Sequence, residues 1–242
     1  MIDTSFDFRS DTPAGKDPDT FSPALRDCHQ LLWSKPLPGG APFDLESIGG
    51  PPFYLRHRSD ALGEFVLSSD AVVPTFRYLP EIWDHVPGGE REEFLQIGYT
   101  IGGMMVFPAN QIDRKWTMNQ ARGMHPEIRD RFDLTVECIR RHYVGESSPL
   151  SDVLARYADF FALFDDFAGY TEFFLLQDMT SEDASAVRFC TPFEDFNGSP
   201  VPTLDAYSGY RERAIAFLQA RNRRIAAYAQ SGLAATQRPG SA

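Results

Sequence analysis

The sequence predicts an α+β fold, with a small antiparallel sheet in the N-terminal half packed against a mainly helical C-terminal half. Three observations carry this. FYLRH (53–57) and EFVLSS (64–69) are short apolar and aromatic runs, separated by Arg58 to Gly63 as the arms of a hairpin would be. From Pro126 onward the apolar residues recur at helical spacing. No stretch is rich enough in Pro, Gly or Ser to act as a linker between domains. Residues 1–232 therefore read as one domain and 233–242 as a disordered tail.

In chain order, residues 1–20 mix Asp, Pro, Gly and Lys and read as a loop, with Phe6 and Phe8 alternating like a short anchoring strand. Ser22-Pro23 is an N-cap and first-turn pair, and Leu25, Cys28, Leu31 and Leu32 follow at helical spacing, so 23–34 is a helix. After the hairpin, 75–93 is mixed, with Pro87-Gly88-Gly89 as a break. Ile97 to Phe107 reads as the most buried strand, its Gly102-Gly103 pair marking a bulge or a close approach. Ile128, Phe132, Val136, Ile139 and Tyr143 form the stripe of a first long helix. Ser148-Pro149 caps a second, Gly169 interrupts, and YTEFFLLQDM continues as a third apolar segment. AVRFC (186–190) is one returning strand. Thr203 caps a last helix with Tyr207, Tyr210, Ala214, Phe217, Leu218, Ile225 and Tyr228 on its core face.

Composition narrows the function classes. Hydrophobic residues at 43% and charged residues at 24% are ordinary for a globular chain, whereas 20 Phe promise large aromatic clusters. No apolar run is long enough to span a membrane, and the acidic N-terminus lacks the apolar core of a signal peptide. Cys28, Cys138 and Cys190 are far apart, so they read as reduced core thiols of a cytoplasmic protein. A net charge of −11 argues against broad electrostatic binding of nucleic acid. It leaves room for a local basic cleft at Arg114 to Arg122. The Arg211 to Arg224 stretch reads as an exposed, ion-paired helix face. Glycine-rich phosphate loops, dinucleotide fingerprints, HExxH and Gly-x-Ser-x-Gly elbows do not occur.

FDFRSDTPAGKDPDTFSP, HQLLWSKPLP, FVLSSD, IGYTIGG, NQARG, DRFDLTVECIRRHY, DFFALFDDFAGY and FFLLQD together resemble a bacterial protein family of unknown function, over roughly residues 6–225. That resemblance implies a cytoplasmic bacterial protein and supplies no mechanism. Two fragments are also similar to pieces of uracil-DNA glycosylase. GKDPD (15–19) is similar to its water-activating loop, and SSPLSD (147–152) to its DNA-backbone loop. Asp19 stands where that family has Tyr, and Glu146 or Ser147 where it has the loop histidine.

The candidate chemistry gathers at two places. Asp70 closes the strand EFVLSSD beside Ser68 and Ser69, where a carboxylate can activate water or steady a sugar cation. In the 114–122 segment, Asn119 and Gln120 can hold a base edge. Arg114 and Arg122 can hold phosphates, and Trp116 can stack. Arg9, Asp11, Lys16, Asp17 and Asp19 mix both signs and read as a lid over the site or a salt-bridged surface loop, and His57 faces the cleft from its strand. Asp70, Asn119 and Arg122 are the expected catalytic group. Arg114, Trp116, Gln120, Ser68, Ser69, His57, Lys16 and Asp17 are the expected substrate contacts. The expected function is hydrolysis of an N-glycosidic bond in a nucleotide or modified DNA, without metal or cofactor, in a setting such as phage defence. Two alternatives stand beside it. One is an ADP-ribosyltransferase-like enzyme cradling NAD with Arg56, His57 and Ser68-Ser69. The other is a non-enzymatic partner-binding or immunity-type protein.

Overall fold

A computed structural model describes residues 2–236. Its centre is a four-stranded antiparallel sheet in the order β1 (Glu46–Ile48), β2 (Tyr54–Ser59), β3 (Gly63–Ala71) and β4 (Met104–Pro108). The predicted hairpin is β2–β3, in the register Leu55 to Leu67 and His57 to Phe65. β3 then pairs β4, placing Ser68 opposite Phe107, Ser69 opposite Val106 and Asp70 opposite Met105. Successive strand residues point to opposite faces, so Ser68 and Asp70 share one face while Ser69 looks to the other.

The N-terminal helices are set by two caps in series. Asp17 accepts from the Asp19 amide and starts α1 (Pro18–Phe21). Ser22 caps α2 (Pro23–Trp33) by accepting from the Leu25 amide at 3.0 Å. Asp11 in turn accepts from the Ser22 hydroxyl and the Ala24 amide. Phe6 and Phe8 lie in a run of turns rather than in the expected strand, although Phe8 is fully buried. β1 has no signal in the sequence, being a three-residue edge strand without alternation.

Between the hairpin and β4 the chain forms α3 (Pro80–Trp83) and α4 (Gly88–Gly98). The strand expected over 97–107 is therefore shorter than its apolar run. Its first residues finish α4, Ile101–Gly103 make a single 3₁₀ turn, and only 104–108 pair. All five β4 residues are buried, so the strand reads as continuous apolar sequence with no period of two to mark its start.

The second half is helical: α5 (Met118–Met124), α6 (Phe132–Tyr143), α7 (Ser151–Arg156), α8 (Ala158–Phe161), α9 (Phe167–Phe173) and α10 (Leu204–Thr236). Ile128 is buried but precedes α6, and α7 starts at Ser151 rather than at the expected Ser148-Pro149 pair, with Leu150 as an N-cap that makes no side-chain bond. Gly169 lies inside α9. The interruption falls at Asp165, whose φ is +65°, and Asp166 caps the helix that follows. AVRFC makes one isolated bridge, Val187 to Thr180, and no strand. Thr203 accepts from the Ala206 amide at the start of α10, as expected. Residues 233–236 continue α10 instead of joining the expected tail, and the rest of that tail, 237–242, lies outside the described residues.

The promised aromatic cluster is where α8 and α9 meet α2. Phe164, Tyr170, Phe173 and Phe174 have ring centroids 4.9–5.4 Å apart, and Trp33 packs its edge against Phe174. The Arg211–Arg224 stretch is not the exposed face expected. Arg221 is fully buried and donates to the carbonyls of Gly102 at 2.9 Å, Met104 at 2.8 Å and Phe174 at 3.2 Å. Burial drops its pKa to about 10. Arg211 and Arg224 do pair, with Glu90 and Asp178.

The glycine pair is a close approach. A Cβ on Gly102 would lie 2.7 Å from the Leu218 carbonyl oxygen of α10, and one on Gly103 would fall on the carbonyl of Gly98. Neither backbone can move aside. We therefore expect Gly102→Ala and Gly103→Ala each to cost about 3 kcal/mol or more. The reading is a lower urea midpoint against a surface control such as Gly39→Ala, which meets nothing within 4 Å.

Candidate functional site

The site is built around the end of β3. α5 begins with a capping box, in which Thr117 accepts from the Gln120 amide and the Gln120 side chain accepts in return from the Thr117 amide. That fixes the helix so that Asn119 and Arg122, one turn apart, face β3. Asn119 donates to the Ser68 hydroxyl at 2.9 Å and to the Ser69 carbonyl at 3.0 Å. Arg122 is fully buried and forms an ion pair with Asp70, whose side chain is 21% exposed. The same guanidinium donates to Thr135 Oγ1 and to the Asp130 carbonyl, both at 3.1 Å, and lies 4.7 Å over the Phe107 ring.

A second carboxylate meets this group from the other side. The Asp17 cap turns α1 so that Asp19 accepts from the Ala71 amide at 3.1 Å. The other Asp19 oxygen is buried without a hydrogen-bond partner among the described residues. Burial pushes the Asp19 carboxyl well above the ordinary carboxylate range, and the nearby charge of Asp70 pushes it further. Burial also raises Asp70, to about 7. Arg122 opposes that rise, and Asp130 and Asp17 add to it. Two like charges in a desolvated site cannot both ionise at their ordinary values, so the pair shares protons as a unit.

The pair opens onto a cleft. A cavity of about 220 Å³ is lined by Asp17, Asp19, Asp70 and Asp130, with Arg77, Tyr78 and Tyr99 among its walls. An adjoining depression of about 390 Å³ shares Asp17, Arg77 and Tyr99 and adds Arg9 and Lys16. Arg9 is engaged with Asp7 and Glu92, while Lys16 lies 5.1 Å over Phe21. Phe76, Arg129 and Asp130 hold φ values of +55°, +47° and +62° around the cleft. Such backbone costs of order 1–3 kcal/mol per residue and collects at functional sites.

Four of the expected substrate contacts are placed differently from the sequence reading. His57 does not face the cleft. It is buried against Phe43 at 4.6 Å, with Nδ1 bonded to the Asp44 carbonyl and Nε2 to Ser59. Ser69 points to the opposite face of the sheet, where its hydroxyl meets His29 Nε2 at 3.0 Å. Arg114 and Trp116 lie in a separate cleft behind α5. The fragments GKDPD and SSPLSD are likewise divided, with Asp17 and Asp19 in the carboxylate cleft, Lys16 in the depression beside it, and Pro149, Leu150 and Asp152 in the other cleft. Gln120 is occupied by the capping box, and Arg56 by Glu46.

One role and one group escape the sequence reading. Asp19 reads only as one charge among several in a mixed lid loop; its signal is the Asp17-Pro18-Asp19 run, which starts a helix on the first Asp and turns the second inward. His29 looks like an ordinary helix residue. Trp33 Nε1 donates to His29 Nδ1 at 3.0 Å, so Nε2 carries the proton and donates to Ser69. Burial drops its pKa to about 3. A histidine in that tautomer cannot take a proton from Ser69, which rules out a serine–histidine nucleophile here. Among the described residues no cluster of three His, Cys, Asp or Glu is arranged to hold a metal ion. No helix among them is long and apolar enough to cross a membrane.

The raised Asp19 carboxyl has a sign that stability can read. Above the unfolded pKa the native state holds a proton that the unfolded chain has lost, so stability falls as pH rises from about 4 through the folded value. Asp19→Asn keeps an acceptor for the Ala71 amide and removes the titration. We expect the variant to match the wild type near pH 4.5 and to exceed it by roughly 2–4 °C in Tm at pH 8. Thermal scans across that range check it, and a pH-independent difference would contradict it.

Comparison with known proteins gives a family and nothing more specific. No curated protein and no solved structure matches the chain, so the fragments similar to uracil-DNA glycosylase gain no support from a relative. Residues 2–225 match the profile of a family of unknown function, DUF6994. That match spans the whole sheet, both carboxylates and most of α10, and the chain belongs to this family.

Proposed function

We propose that the chain is a hydrolase of an N-glycosidic bond in a nucleotide or a nucleic-acid base, working through carboxylates. The observation that supports it is the Asp19–Asp70 pair, two carboxyls of raised proton affinity at the edge of a cleft with tyrosine walls and an arginine. Glycosidic hydrolysis needs one carboxyl protonated and one ionised at the same pH. Asp70 is the base, because Arg122 favours its charged form. Asp19, held well above the ordinary carboxylate range by burial and without an ion-pair partner among the described residues, is the acid.

In the reaction, Asp70 accepts a proton from water as the water oxygen attacks the anomeric carbon. The bond from that carbon to the base nitrogen breaks, and Asp19 delivers its proton to the departing base. Tyr99 and Tyr78 offer faces to a flat ring, and Arg77 and Lys16 lie where a phosphate could be held. Asn119 and Arg122 then serve as positioning residues for Ser68 and Asp70 rather than as base or phosphate contacts. The three free cysteines fit a reducing cytoplasm as the place of work.

Purified protein incubated with nucleoside monophosphates, plain DNA and base-modified DNA should release a free base, read by mass spectrometry. Asp70→Asn and Asp19→Asn should each slow that release by about 10²-fold or more. The wild-type rate should show a bell-shaped pH profile with its lower limb near pH 7, the value of Asp70. No base from any substrate, or release indifferent to both variants, overturns this proposal. Nicotinamide released from NAD would move it to the ADP-ribosyltransferase-like alternative.

A further inference from the structure

Behind α5, on the side away from Asp70, lies a second cleft of about 520 Å³. Its walls come from the loop after β4, the C-terminal end of α5 and the start and end of α7. Arg114, Lys115, His125 and Arg156 line it, and Asp152 supplies its one carboxylate. None of those four basic residues is within ion-pair distance of a carboxylate among the described residues. Most other arginines of the chain are so paired: Arg9, Arg26, Arg56, Arg58, Arg91, Arg122, Arg131, Arg140, Arg141, Arg211 and Arg224. In a protein of net charge −11, a concentration of free cations in one concave place is an exception.

Two further observations point to a flat anionic ligand. Trp116 is 54% exposed at this cleft, the condition for stacking a base. Its carbonyl accepts from Arg156 Nη2 at 2.8 Å, while Arg156 Nη1 donates to the Asp152 carbonyl at 3.1 Å. The third guanidinium nitrogen, Nε of Arg156, is buried with no partner among the described residues, although a buried donor ordinarily finds one. Asp113 and Arg114 both hold φ of +55°, so the loop that presents Arg114, Lys115 and Trp116 in succession is strained into place.

We propose that this cleft is a binding site for single-stranded nucleic acid, with one base stacked on Trp116 and neighbouring phosphates on Arg114 and Lys115. Unpaired cations on both walls of an open cleft fit a chain of phosphates better than the single phosphate of a free nucleotide. The site stands apart from the carboxylate pair, because Ala121 and His125 face it from one side of α5 while Asn119 and Arg122 face β3 from the other. It does not depend on the proposed reaction.

The test is fluorescence anisotropy of a labelled oligothymidylate titrated with full-length protein, with thymidine monophosphate as competitor. We expect saturable binding at low salt that weakens as salt rises. Trp116→Ala should weaken it roughly ten-fold. Arg114→Ala with Lys115→Ala should flatten the salt slope by about 1.4, two phosphates at about 0.7 each. These positions are exposed, so their variants should keep the wild-type circular dichroism. Asp70→Asn should bind as the wild type does, which separates failure here from failure of the glycosidic reading. Absence of binding at low salt overturns the proposal. So does binding indifferent to these substitutions, or competition by the mononucleotide as strong as by the unlabelled oligomer.

Discussion

The buried guanidinium of Arg122 is the joint on which this end of the molecule turns. One side chain ties α5 to the end of β3 through Asp70, to α6 through Thr135, and to the turn before α6 through the Asp130 carbonyl, with the Phe107 ring of β4 beneath it. A charge taken out of water at such cost stays charged only if its partners satisfy it. Here a carboxylate, a hydroxyl, a carbonyl and an aromatic face do so. The consequence reaches the cleft: Asp70 is held at its edge by a fully buried partner, and Asp19 must live beside it.

Two more buried arginines repeat the device elsewhere. Arg131 forks onto Asp133 at 2.6 and 2.7 Å and donates to the Pro200 carbonyl, while Asp133 also accepts from the Cys190 amide. Together they pin the irregular 190–200 segment to α6. Arg221 has carbonyls for partners and fixes α10 to the β4 entry. These arginines connect segments that share little regular hydrogen bonding. The sheet and helices supply the core, and the guanidinium groups supply its register.

How much of this the sequence discloses depends on the range of the interaction. The β2–β3 hairpin, α2 and the core face of α10 are legible because their signals are local, in alternation, caps and helical stripes. Tyr207, Tyr210, Ala214, Phe217, Leu218 and Ile225 are all buried as the stripe implies. β4 is legible as buried but not as short, because an apolar run has no internal mark where α4 ends and pairing begins. Residue type marks Asp70 and Arg122 as candidates, but that they meet is not legible in the sequence and is given by the fold. Nor is it legible that Arg122 is sealed behind Asp70, since an arginine bound for phosphate and one bound for the interior look alike in sequence. Arg114 and Trp116 fall into a different cleft for a related reason. A short helix has two faces, and sequence proximity does not say which residues share one.

Desolvation holds the Asp19 and Asp70 carboxyls against ionisation, and the charge of Asp70 opposes that of Asp19. Carbon-13 NMR of protein labelled at the aspartate side chains, titrated from pH 3 to pH 9, measures that directly, with Asp19→Asn and Asp70→Asn giving the assignments. Two aspartates should titrate far above the rest. Asp70 should titrate near 7, Asp19 should lie well above the ordinary carboxylate range, and Asp19 should fall when Asp70 is replaced. If every aspartate titrated below about 5, close to the unperturbed carboxyl, the pair would be two ordinary anions and the cleft would have no acid to offer.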